Sequence, residues 1–203
     1  MYKRVADILR LQVESGKGLL LICNAMEIAP EILGGNSRLS FGCLFSSWRK
    51  LSSLGFSIPV DKAVPAIYNG LIPAKNGNGM CYNLFISSDY DGSHVCSGWF
   101  YLFFRAKWEK EPECITKGTV LADFYAEPKK GEKNPEEPAF APGAVIREWT
   151  LGKGKIIGHY CGLRYNDGSI DKTVPTDNAF RLIENAVKYL SDGKKAIKVA
   201  VVE

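Results

Sequence analysis

The amino-acid sequence predicts an α/β protein, with a mostly parallel sheet flanked by helices and a β-rich second half. Three observations predict it. The run GLLLIC, residues 18–23, is apolar without alternation. A short unbroken apolar run fits a strand buried on both faces, as in a parallel sheet. That run is preceded and followed by segments with helical spacing, and helix, buried strand, helix is the α/β order. Beyond residue 66 the chain changes to short apolar runs separated by Asn-Gly and Asp-Gly steps. Such steps favour tight turns because both residues tolerate positive φ.

Each element has its own signal. Val5, Ile8, Leu9 and Gln12/Val13 follow helical spacing in MYKRVADILRLQVESG, with Gly16 as the stop. Residues 25–33 read as a second helix closing on Gly34 and Gly35, and FGCLFSSWRKLSSLG reads as a third ending at Gly55. Strands are expected at 81–87, 96–105, 119–125, 144–150 and 155–160, the last two forming a hairpin across LGKG. EPKKGEKNPEEPAFAPG, residues 127–143, is charged, proline-rich and poor in apolar side chains, so a mobile loop is expected there. Thr176 or Asp177 offers an N-cap for a last helix with Phe180, Ile183, Val187 and Leu190 on its apolar face. Gly193 would end it, and AIKVAVVE reads as a final strand. No internal repeat is present.

Composition narrows the function classes. At 203 residues, 46% hydrophobic and 24% charged, the chain has the balance of a soluble single domain with one sizeable core. The net charge of +4 is spread among interleaved acidic and basic residues, so no nucleic-acid stripe is expected. No apolar run is long enough to cross a bilayer, so no membrane partner is expected either. The first residues form an amphipathic pattern, not a charged head followed by an apolar block, which argues against a signal peptide. Six cysteines occur without a CxxC pair, so neither a zinc knuckle nor any other metal or cofactor is expected. Reduced thiols and a cytoplasmic location are the expectation.

One constellation could carry chemistry. Cys23 ends the buried strand where the chain turns into a helix, and His159 ends the second strand of the LGKG hairpin. A thiolate attacks an amide or ester carbonyl when a neighbouring imidazole takes its proton. A sharp strand-to-helix turn exposes the sulfur and aims backbone N–H groups at the developing oxyanion. Against this stands the habit of free cysteine to be buried as a small hydrophobe, and His159 reads equally as a hydrogen-bonded structural residue.

In this order the strand with Cys23, the segment VLADFY…AVIREWTLGKGKIIGHY and the helix DNAFRLIENAVKYL resemble the class I glutamine amidotransferase-like superfamily. Its ThuA-like and biotin-ligase N-terminal-like branches are the nearest in outline. The resemblance implies a flavodoxin-like sheet, a Cys23 nucleophile and a His159 base. The motifs are degenerate: Leu21 stands where the family's G-x-C-x-G places its first glycine, and Cys161 stands where its His-Pro-Glu places the acid. The family sets further strand–helix units before the nucleophile strand, so the expectation is a domain incomplete at its N-terminus, a different topology, or a sheet completed by another chain.

Other clusters read as turns. Asp89, Asp91, Ser93 and His94 in SSDYDGSH, and Asn166, Asp167, Ser169 and Asp171 in YNDGSID, lack the later glutamate of a calcium loop. Trp99, Phe100, Tyr101, Phe103, Phe104 and Trp108 could line a sugar cleft, but core packing explains them as well. Two functions therefore stand open. The first is a degenerate, non-catalytic amidotransferase-like domain that binds a small molecule or carbohydrate or supports assembly, within a larger parent protein or as a homodimer through an open sheet edge. The second is a Cys23/His159 hydrolase or amidotransferase-like enzyme acting on an amide or ester.

Overall fold

The computed structural model describes residues 2–35, 51–58, 66–73, 81–87, 113–128, 144–159 and 173–191. Helix α1 (Tyr2–Glu14) ends as its glycine signal predicts. Gly16 takes φ +105°, its N–H meets the Val13 carbonyl at 2.8 Å, and the Lys17 N–H meets the Gln12 carbonyl at 3.1 Å. This paired closure satisfies the last helical carbonyls and needs a residue without Cβ strain. Strand β1 (Leu19–Ile22) follows, then a 3-10 turn over Cys23–Ile28 and the short helix α2 (Ala29–Ile32). After them come β2 (Leu51–Ser57), a 3-10 turn over Ala66–Tyr68, β3 (Cys81–Ser87) and α3 (Glu113–Thr116). The chain continues through β4 (Thr119–Pro128), β5 (Ala144–Leu151), β6 (Gly154–His159), β7 (Thr173–Pro175) and α4 (Asp177–Ser191).

The described strands join in one sheet in the order β1-β6-β5-β4-β2-β3-β7. The α/β character holds, but the expected mostly parallel sheet is corrected. Only β1 and β6 run parallel, and the other five pairings are antiparallel. The unbroken run in GLLLIC marks one strand buried on both faces, and it does not set the direction of strands elsewhere. The β5–β6 connection is the expected two-residue hairpin, with Leu151 facing Gly154, and a link that short permits only antiparallel neighbours.

Further expectations shift. Residues 51–57 form β2, not the end of a helix, and Gly55 sits at a register irregularity against β3. Glycine inside a strand marks such irregularities. Strand β4 runs through Glu127 and Pro128, which pair with Ser53 and Leu51, so the first two residues of the expected mobile loop are part of the sheet. The remaining residues of that segment, the strand at 96–105, the aromatic cluster, both Asp-Gly clusters, Gly193 and AIKVAVVE lie outside the described residues.

Each sheet face carries its own apolar cluster. On one side Ala6, Val13, Met26, Ile32 and Ile115 pack over Leu21, Ile156 and Trp149. On the other, Ala179, Leu182 and Ala186 of α4 pack over Leu20, Ile146 and Ile157. Both helices keep part of the expected face. In α1, Val13 is buried and Leu9 packs against the same cluster, while Ala6 is buried and Val5 and Ile8 are 43% and 51% exposed. In α4, Ile183, Val187 and Leu190 pack against the core as expected, while Phe180 is 64% exposed. Polar contacts fix α4 further. The Asn178 side chain exchanges two hydrogen bonds of 2.8 Å with the backbone of Ile72. Asn185 donates to the carbonyls of Ile67 and Asn69 at 3.0 and 2.9 Å, and Arg181 donates to the Gly70 carbonyl.

Gly158 is a tight packing point within β6. A Cβ there would stand 2.7 Å from Met26 Sδ and 2.7 Å from Trp149 Cζ3. Replacing Gly158 with alanine should lower unfolding stability in urea by about 1–3 kcal/mol, because overpacking outweighs the ~0.4–1 kcal/mol gained from a stiffer unfolded chain. Phe180→Ser should change it by less than about 0.5 kcal/mol, as expected at an exposed position. A large loss from Phe180→Ser would contradict the helix orientation.

Candidate functional site

The register of the parallel pair decides where the two sequence-predicted site residues meet. Leu19, Leu20, Leu21 and Ile22 face Ile156, Ile157, Gly158 and His159 in turn. Cys23 opens the 3-10 turn one residue beyond Ile22. The backbones of Cys23 and His159 therefore lie side by side at the carboxyl ends of β1 and β6. Ligands of α/β sheets commonly bind at that edge. Where the Cys23 thiol points lies outside the described side chains.

The imidazole of His159 has a definite place. Side chains alternate across a strand. Ile156 and Gly158 face the α1 side, where Met26 and Trp149 fill the space, so Ile157 and His159 face α4. His159 is 4% exposed. It lines a void of about 10 Å³ among Leu20, Ile22, Ile146, Leu182 and Ala186. A void that size holds at most one water.

Lys155 shares this face. Its Nζ donates to Tyr189 Oη at 2.6 Å and stands 3.6 Å from Glu148 Oε2. The bond to Tyr189 raises its pKa, assisted by the nearby Glu148 carboxylate and opposed by partial desolvation.

A larger space lies at the other end of the sheet. β4 begins at Thr119, opposite Glu148, so residues 149–151 of β5 run past its start. Beside this overhang a cleft of about 740 Å³ opens between Leu33–Gly35, α3 and β5. Its wall is fixed by the end of α3. Trp149 Nε1 donates to the Ile115 carbonyl at 3.1 Å, and Arg147 donates to the carbonyls of Ile115, Thr116 and Gly118 at 3.3–3.4 Å. The Ile115 carbonyl also accepts from the Gly118 N–H at 3.0 Å, which closes the turn at the end of α3.

The cleft's polar lining residues are Glu113, Cys114, Lys117, Thr119, Glu148 and Thr150. Lys117 Nζ lies 2.9 Å from Glu113 Oε1. Their hydrogen bond, more than their charge attraction, holds the Glu113 carboxyl below the usual carboxylate range and Lys117 above the usual ammonium range. Burial pushes the Cys114 thiol up. The sequence reading passed over these residues. Their one legible signal is the i,i+4 Glu-Lys spacing in ECITK, which also marks ordinary helix surfaces. Among the described residues, no three His, Cys, Asp or Glu side chains converge as metal ligands. None of the described helices is long and apolar enough to cross a membrane.

The Glu113–Lys117 pair has a definite pH window. Its contribution is present above the unfolded carboxylate pKa and is lost as pH falls through the lower folded value of Glu113. At the alkaline end it is present below the unfolded ammonium pKa and lost as pH rises through the higher folded value of Lys117. NMR titration of the Glu113 carboxyl should give a pKa below the ordinary value in the native protein, moving up toward roughly 4.3 in Lys117→Ala. An unchanged titration in the variant would show that the pair does not form.

In comparisons with known proteins, no family model matches the chain, and no curated protein matches it.

Proposed function

We propose that this chain is a degenerate amidotransferase-like domain that acts by binding and not by Cys23/His159 catalysis. The observation that carries the reading is the burial of His159 on the α4 face of β6, among aliphatic side chains. A general base must come within hydrogen-bond reach of both the thiol proton and the substrate, and the space beside this imidazole admits no carbonyl compound. The sequence agrees. Cys161 stands where the family's orienting glutamate would be, and Leu21 where a nucleophile turn needs a glycine. A domain without its base retains the ligand-binding capacity of the fold, and that is the function we assign to it.

The competing reading, a Cys23 nucleophile with His159 as base, has one observation in its favour: the Ile22–His159 register, which keeps the two backbones adjacent. Iodoacetamide labelling of Cys23, followed site by site by mass spectrometry between acidic and alkaline pH, separates the two. Binding without catalysis predicts labelling governed by a pKa at or above the roughly 8.5 of a free thiol, unchanged in His159→Ala. A pKa well below that value, lost in the variant, would establish an activated thiolate and overturn the proposal.

A further inference from the structure

We infer that the cleft between α2, α3 and the overhang of β5 is a binding site for an uncharged, hydroxyl-rich small molecule of the carbohydrate kind. The inference rests on the binding reading above and gives it a location. At about 740 Å³ the cleft lies within the ~300–1,000 Å³ typical of small-molecule sites. The void beside His159 does not.

The ligand class follows from the charges. Glu113 and Lys117 already neutralise each other at 2.9 Å, and Glu148 has Lys155 as its partner. An anion in the cleft would meet the Glu113 carboxylate, and a cation would compete with Lys117 for it. A neutral polyol does neither. Its hydroxyls donate to carboxylate oxygens and accept from the ammonium group. Such a ligand adds hydrogen bonds without separating the ion pair. Trp149 does not serve as a stacking platform: it is 4% exposed, with its N–H engaged by Ile115.

The position of Cys114 provides a readout at the site itself. Its thiol stands where a Cβ on Gly35 would approach to 2.8 Å, and Cys114 lines the cleft. A bound ligand therefore blocks reagents from that side.

The test uses glucose and maltose as neutral probes, with glucosamine and glucuronate as cationic and anionic comparators, each by calorimetric titration of the full chain. Neutral sugars should bind saturably, and more tightly than both charged ones. The better of the two neutral sugars should slow Cys114 alkylation severalfold. Lys117→Trp, which puts a large side chain at an exposed position lining the cleft, should remove both effects while keeping the native melting temperature. Saturable binding that survives in Lys117→Trp, a preference for a charged sugar, or no binding by either neutral probe would overturn the site assignment. Because Cys23 labelling is read separately, none of those failures would by itself revive the catalytic reading.

Discussion

Strand β6 is buried on both faces, and one contact on it constrains much of the surrounding architecture. At Gly158 the absent side chain admits Met26 from one direction and the Trp149 ring from another. Met26 belongs to the turn that follows β1, so this contact fixes the path of the chain just after Cys23. Trp149 belongs to β5, and it reaches across a second glycine, Gly118, to the end of α3. One indole ring thus ties β5, β6, the turn after β1 and α3 together. A tightly packed interior transmits a change at any of these positions to the others.

The same contact decides what His159 can do. With Gly158 committed to the crowded side, strand alternation turns the next residue toward α4. There Leu182 and Ala186 close over the imidazole. Among the described residues the space beside the ring is a void of about 10 Å³. The described side chains around His159 are closely packed, while space opens at the opposite end, where β4 starts too late to cover β5. The two ends differ in character: aliphatic packing at one, a neutralised ion pair beside an open cleft at the other.

Much of the element order was legible in the sequence, because it depends on local signals. The stops at Gly16 and Gly34, the LGKG hairpin and the buried run of β1 are each written within a few residues. What was not legible depends on approach distance. The apolar spacing in α1 fits more than one face, and only contact with the sheet selects Ala6 over Val5 and Ile8. Phe180 was expected inward for the same reason, while Asn178, polar and unpromising, is buried because the backbone of Ile72 matches its amide. The direction of the sheet was misread because burial on both faces at β1 was extended to strands that hairpins make antiparallel. At the candidate site, the meeting of Cys23 and His159 along the backbone was foreseeable from strand-end positions. The face chosen by the imidazole was not, since it follows from what Gly158 packs against.

The central claim is that the His159 ring is part of the packed interior beneath α4. Diethyl pyrocarbonate modification, read at His159 by mass spectrometry in native protein and in protein unfolded by urea, tests it directly. The account predicts that His159 is protected in the native state and reacts freely once unfolded. Native His159 reacting as fast as the unfolded residue would place the ring in solvent, and the closed face described for it would be wrong.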